Sequence, residues 1–148
     1  MKLIIACDKN GGIGYENRLP WSKIQGDLPR FKALTDKHPV IMCRNTWDSL
    51  PKKPLPNRMN IVVTSRPFEH EGVTCLEEIG NYTDFYWLIG GAKLINTCWQ
   101  WINEIHLTRV FAQYICDTFI DLSLLEKDFI LAHYEYFIDH QYQIWRRK

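Results

Sequence analysis

Five short runs rich in β-branched and aromatic residues set the strongest limit on how this chain can fold: "KLIIAC" at 2–7, "PVIM" at 39–42, "MNIVVTS" at 59–65, "DFYWLIG" at 84–90 and "EIHLTRV" at 104–110. Several are apolar without alternation. A strand with one face in water alternates polar and apolar residues, so a continuously apolar strand needs cover on both faces. Helical patterns at about 27–36, about 44–50 and 91–101 ("GAKLINTCWQW") fall between these runs and supply that cover. The spacing predicts an α/β fold with a mixed, mainly parallel central sheet and helices on both faces.

After residue 110 the pattern changes. "DFILAHYEYFID" at 128–139 and "HQYQIWRR" at 140–147 read as two aromatic-rich strands, and a reversal near Asp139 and His140 would pair them as an antiparallel C-terminal edge. A chain of 148 residues suits a single domain over 1–148, able to bury roughly two thirds of its unfolded surface. With 46% apolar and 14% aromatic residues, a packed interior is expected in place of disorder.

Eighteen Lys and Arg against seventeen Asp and Glu leave a formal charge of +1 with no charged block, so neither nucleic acid nor an anionic membrane is expected as a partner. The start "MKLIIACDKN" holds too few apolar residues before Asp8 for a secretory segment, and no run approaches the roughly 18 apolar residues of a membrane span. Cys7, Cys43, Cys75, Cys98 and Cys116 form no CxxC pair, and His38, His70, His106, His133 and His140 form no HxxxH or HExxH spacing. Disulfides and a metal site are therefore not expected, and reduced thiols in a cytoplasmic protein fit best. No exposed apolar face is legible in the pattern, which leans towards a monomer.

Four segments hold candidate chemistry. The loop "KNGGIGYENRLPW" at 9–21 carries Gly11, Gly12, Gly14 and Pro20; it reads either as a plain surface loop or as a backbone able to lie against a flat ring or a phosphate. In "SKIQGDLPRFKALTDK" at 22–37, helical counting puts Ile24, Phe31 and Leu34 on the side of Asp27, so the carboxylate is expected on the buried stripe. Asp27 is then either an N-cap, with Pro29 in the first turn, or a carboxylate offered to the amidine-like edge of a ligand. "MCRNTWDS" at 42–49 and "VVTSRP" at 62–67 each begin where a strand ends. There Arg44 and Arg66, with Thr46, Thr64 and Ser65, either suit a phosphate or are ordinary surface residues. Finally, "LIGGAKLINTCWQW" at 88–101 joins a strand to a helix through Gly90 and Gly91, as a tight turn or as an anion-facing helix start. No third glycine follows, so the Rossmann fingerprint is absent.

Together, "IIACDKNGGIGYENRLPW", "GDLPRFKALT", "PVIMCRNTWDSLPKKPLPNRMNIVVTSRP", "LIGGAKL", "IHLTRV" and "DTF" occur in the order and at the spacing of one family: from residue 3 to about residue 120 the chain resembles dihydrofolate reductase. The resemblance implies a three-layer α/β fold and reduction of 7,8-dihydrofolate with NADPH, hydride passing to pterin C6 while N5 gains a proton. It implies that Asp27 holds the pterin amino edge, that Thr108 orients Asp27, and that a water near Trp21 delivers the proton. Ile4, Ala6, Leu28, Phe31, Leu50, Leu55 and Ile89 would line the substrate pocket, with Arg58 clamping the glutamate tail and Lys32 nearby. Ala6, Ile13, Gly14, Asn17 and Leu19 would flank the nicotinamide, the first loop closing over it as a lid. Asn45, Thr46, Gly90, Gly91, Ala92, Lys93 and Leu94 would hold the pyrophosphate end, and Arg44, Thr64, Ser65 and Arg66 the 2′-phosphate. Antifolates are expected as inhibitors.

The chain departs from the family pattern in places. Cys43 stands where Gly is usual, so a larger side chain must be accommodated beside the cofactor; Ala92 replaces a frequent Gly and Ile95 a frequent aromatic. "DTFID" lacks the usual Pro, and "SKIQGD" sets Asp27 six positions after Trp21. A riboflavin-pathway reductase of similar fold would not need Trp21, Asp27 and Arg58 together. A non-catalytic relative that kept only the fold would not need them either.

Overall fold

The structure, a computed structural model, describes residues 1–148 except Ser22, Lys23 and Gln25, so half of the "SKIQGD" departure lies outside the described residues. In chain order the elements are β1 (Lys2–Cys7), β2 (Gly12–Gly14), α1 (Asp27–Thr35), β3 (Val40–Cys43), α2 (Arg44–Ser49), β4 (Asn60–Val63) and β5 (Val73–Leu76). There follow β6 (Trp87–Gly90), α3 (Ala92–Cys98), β7 (Glu104–Val110), β8 (Thr118–Phe119), α4 (Leu122–Asp128), β9 (Phe129–Tyr136) and β10 (His140–Arg147). Eight of the strands make one sheet in the order β5-β4-β3-β6-β1-β7-β10-β9, parallel from β5 to β7 and antiparallel from β7 to β9. The mainly parallel sheet with an antiparallel C-terminal edge is thus the expected one.

Two apolar layers explain the unbroken apolar runs. Leu3, Ile41, Ile61 and Leu88 pack with Leu94, Ile95 and Cys98 of α3 and with Leu125 of α4. Their neighbours in the strands, Ile4, Val40, Met42 and Val62, pack instead with Trp47 of α2 and with Phe31 and Leu34 of α1. Successive residues of a strand point to opposite faces, so a sheet covered twice needs apolar residues at every position. Each fully buried Leu or Ile contributes roughly 2 kcal/mol by leaving water.

Four elements were not anticipated. α4 is one, although Asp121 caps it with a side-chain oxygen that accepts from the Leu124 N–H at 3.0 Å, an N-terminal signal present in the sequence. The others are β5, whose residues are only partly buried, and the small β2–β8 pair. The expectation of no exposed apolar face is corrected: Ile130, Tyr134, Tyr136, Phe137 and Ile138 are exposed on the C-terminal hairpin. β9 is the last strand of the sheet, and only its first residue, Phe129, is buried. Among the described residues no helix is long and apolar enough to cross a membrane.

Candidate functional site

Gly26, in the left-handed region at φ 80°, precedes α1 as its N-cap, and among the described residues no side chain caps that end. The capping reading of Asp27 therefore fails, and its carboxylate reaches across to β7. Thr108 Oγ1 donates to Asp27 Oδ1 at 2.6 Å. The strand register sets Ala6 of β1 and Tyr142 of β10 on either side of Thr108, so the pair lies near the carboxyl ends of β1 and β7 and the amino end of the antiparallel β10. The predicted full burial of Asp27 is corrected to half-burial, because it is the first residue of α1; Thr35, two turns on, is the residue of that helix that is buried.

One helical turn from Asp27, Phe31 packs with Leu50, Leu55 and Ile89 against the apolar cluster that contains Ile4. Leu28 stands outside it, 67% exposed, and Lys32 is exposed as well. Arg58 is held at the far end of the cluster, Nη1 donating to Thr35 Oγ1 and Nε to the Pro56 carbonyl, both at 2.9 Å, with its guanidinium 5.9 Å from the Phe31 ring centroid. Burial, opposed by the Asp36 carboxylate, pulls Arg58 below its usual range. It remains a cation, with donors left over for a carboxylate.

A second group of residues meets where β3, β4 and β6 end. Register pairs Cys43 with Val63 and Met42 with Gly90, which brings Arg44, Asn45, Thr46, Ser65, Arg66 and the Gly90–Gly91 step to one edge. A Cβ at Gly90, where φ is 144°, would lie 3.0 Å from Thr46 Oγ1, so the backbone shape and the close approach both require glycine. Cys43 is accommodated in that corner: its Sγ accepts from the Gly91 N–H at 3.2 Å and lies 3.4 Å from Thr46 Oγ1. Arg44 is exposed, paired with Asp48 at 3.1 Å and lying over the Phe68 ring at 4.2 Å, while Arg66 is exposed and its N–H donates to Thr64 Oγ1 at 3.2 Å. Leu94, in the first turn of α3, has its side chain buried in the core on that side of the sheet.

Between the first loop and α2 lies a polar cleft of about 390 Å³, lined by Glu16, Asn17, Arg18, Asn45, Asp48 and Ser49. Glu16 and Asn17 adopt left-handed backbone angles of 50° and 62°. Leu19 is 54% exposed, Gly14 half-buried, and Ile13 packs against the α3-side core. Trp21 is buried with Ile24 and Val110, its ring 5.7 Å from that of Tyr114.

Asp8 was missed by the sequence reading, yet it anchors this loop. Buried at 1% exposure, its Oδ1 accepts from the N–H groups of Gly12 and Asn10 at 2.8 and 2.9 Å, and Oδ2 from Tyr114 N–H at 2.9 Å. Burial alone would raise its pKa; the three N–H donors outweigh it and hold the carboxyl below its usual value. The folded-state value is thus depressed, so the stabilisation is complete above the unfolded value, about pH 4, and is lost as acid carries the pH down through the folded one. Asp8→Ala is expected to cost about 3 kcal/mol at pH 7. Urea unfolding should show that gap narrowing at pH 3, whereas a gap constant with pH would mean the carboxylate charge is irrelevant. Arg30, also missed, has Nη1 3.3 Å from Thr108 Oγ1. Its place three residues after Asp27 on one helix face was a legible signal.

A carboxylate beside an apolar cluster, with arginines following other strands at the carboxyl edge of the same mainly parallel sheet, defines a site of the open α/β class, in which ligands lie across strand ends. The family model described as dihydrofolate reductase matches residues 1–145. The chain is 36% identical over 163 residues to the type 8 dihydrofolate reductase of Escherichia coli, covering 98% of this chain and 94% of that protein. It is 37% identical over 125 residues to the dihydrofolate reductase of Buchnera aphidicola, covering 80% and 77%. It is also 36% identical to the bifunctional dihydrofolate reductase-thymidylate synthase of Paramecium tetraurelia, of whose length it spans only 28%. The chain belongs to the dihydrofolate reductase family.

Proposed function

We propose that the protein reduces 7,8-dihydrofolate to 5,6,7,8-tetrahydrofolate with NADPH, as a cytoplasmic single-domain enzyme of one-carbon metabolism. The observation that carries this reading is the Thr108-to-Asp27 hydrogen bond beside the apolar cluster of Ile4, Phe31, Leu50, Leu55 and Ile89, in which Phe31 is one helical turn from Asp27 and Ile4 is two residues from the Ala6 that pairs with Thr108. A pterin ring is a flat heterocycle with an edge of adjacent N–H donors, and it suits an apolar slot floored by one carboxylate. Asp27 accepts from that edge and favours the protonatable pterin form, and a water beside Trp21 carries the proton to N5. Arg58 takes the tail carboxylate through the donors that Thr35 and Pro56 leave over.

The residues at the β3, β4 and β6 ends fit a phosphorylated dinucleotide: two guanidinium groups, the Ser65 and Thr46 hydroxyls, and a Gly90 backbone that side chains would obstruct. Bound there, NADPH supplies the hydride that C6 receives. Arg44, Ser65 and Arg66 bind the 2′-phosphate, Asn45, Thr46 and the Gly90–Gly91 step the pyrophosphate, and the 9–21 loop excludes water from the nicotinamide end.

The direct test is loss of NADPH absorbance on adding dihydrofolate, run beside NADH. No loss with either cofactor would favour a fold-only relative. Arg66→Ala is expected to raise the KM for NADPH about tenfold with little effect on NADH; equal weakening of both would show that Arg66 does not read the 2′-phosphate.

A further inference from the structure

Arg30 has no role in the site derived so far, yet it is the most heavily engaged cation near Asp27. Its guanidinium carbon lies 4.2 Å from the Tyr142 ring centroid and 5.0 Å from that of Phe137. Nη1 is 3.3 Å from Thr108 Oγ1, and Nη2 is 3.1 Å from His140 Nε2. His140 is fully buried, its ring stacked on Phe137 at 4.7 Å and its Nδ1 2.6 Å from Asp139 Oδ1. Two elements distant in sequence from α1, β7 and the C-terminal hairpin, therefore grip the guanidinium that α1 carries.

The chemistry of the partners fixes the direction of every bond. A guanidinium only donates, so His140 accepts at Nε2 and its ring proton sits on Nδ1, given to Asp139. Thr108 Oγ1 likewise accepts from Arg30, which leaves its one hydrogen for Asp27 Oδ1 at 2.6 Å. A hydroxyl hydrogen otherwise rotates to suit its surroundings. Here one cation stands between two carboxylates, reaching each through a single polar relay.

We infer that Arg30 is a positioning residue of this enzyme: gripped by His140 and Asp139, it aims the Thr108 hydroxyl at Asp27 Oδ1 and so turns the rest of that carboxylate towards the pterin edge. This rests on the pterin-floor reading of Asp27. The stacking of Arg30 on Tyr142 and Phe137 keeps the fork in place, and the buried His140 makes the arrangement costly to leave, because a lost partner would strand a buried ring nitrogen.

Steady-state kinetics with both substrates test it on the wild-type chain and on Arg30→Met, Arg30→Lys, His140→Leu and the Arg30→Met/His140→Leu double variant. Arg30→Met is expected to lower kcat/KM for dihydrofolate about tenfold while the KM for NADPH stays within about twofold. Arg30→Lys should fall between, since an ammonium keeps the charge but not the fork. His140→Leu should lose about threefold in the same direction, and the double variant should be no worse than Arg30→Met, because both act through one hydroxyl. The inference is overturned if Arg30→Met matches wild type, if both substrates suffer equally, or if the two losses multiply. Should Arg30→Met not fold, Arg30→Lys and His140→Leu decide: a loss confined to dihydrofolate supports the role, and no loss overturns it. A wild-type chain that does not reduce dihydrofolate at all defeats the proposed function itself, and this inference with it.

Discussion

Asp27→Asn is expected to fold with near-normal stability and to lose turnover of dihydrofolate at pH 7 by a factor on the order of a thousand, within the range that a positioned acid or base contributes. The amide oxygen can still accept the Thr108 hydroxyl, so the fold loses about 1 kcal/mol or less. The second oxygen, however, becomes an N–H₂ donor facing the donors of the pterin edge. Two donors cannot bond each other, and an amide cannot favour a protonated ring. The measurement is kcat/KM for dihydrofolate alongside thermal unfolding. Full activity at pH 7 in a folded variant would remove Asp27 from the chemistry; lost activity in an unfolded one would return it to a structural role.

The second large effect is expected at Arg58. Its guanidinium is preorganised by Thr35 and Pro56 at 2.9 Å, so little ordering entropy remains to be lost when it meets a carboxylate. Arg58→Leu should raise the KM for dihydrofolate about a hundredfold and leave kcat within about threefold, the behaviour of a contact made equally in the ground and transition states. A pterin substrate lacking the glutamate tail gives the control. It should be insensitive to the substitution, and an equal loss with both substrates would show that Arg58 supports the fold of the pocket and does not read the tail. The unfolded baseline matters here too, because Arg58 also satisfies the buried Thr35 hydroxyl, and the variant is expected to lose about 1 kcal/mol of stability.

Both predictions use residues that the sequence singled out, whereas the partners that give Asp8 and Arg30 their importance are set by the fold. Asp8 lies at the end of an apolar strand, where a carboxylate reads as ordinary loop polarity; its importance comes from Tyr114, which only the folded chain brings to it, 2.9 Å away. Arg30 was adjacent to Asp27 on the helix, yet its partners Thr108 and His140 are supplied by β7 and β10. The sequence likewise overstated the burial of Asp27. Helical phase says which residues share a side, but not how far a helix start extends beyond the sheet or which wall the next helix faces.

What the sequence determined by itself was the repeating order of apolar runs and helical stretches, and therefore a doubly covered sheet, because those patterns follow from local periodicity and from the need to bury both faces. The ordered motifs also marked Asp27, Arg58, Arg44 and Arg66 as residues of interest. The bond from Thr108 to Asp27 was expected only through the family resemblance, and the tertiary structure alone decided that Cys43 is absorbed by the Gly91 N–H and that a guanidinium links the C-terminal hairpin to the site. Those outcomes turn on strand register and on distances between residues as many as 110 positions apart. No local pattern encodes them, since hydrogen-bond partners are chosen only once the sheet has assembled.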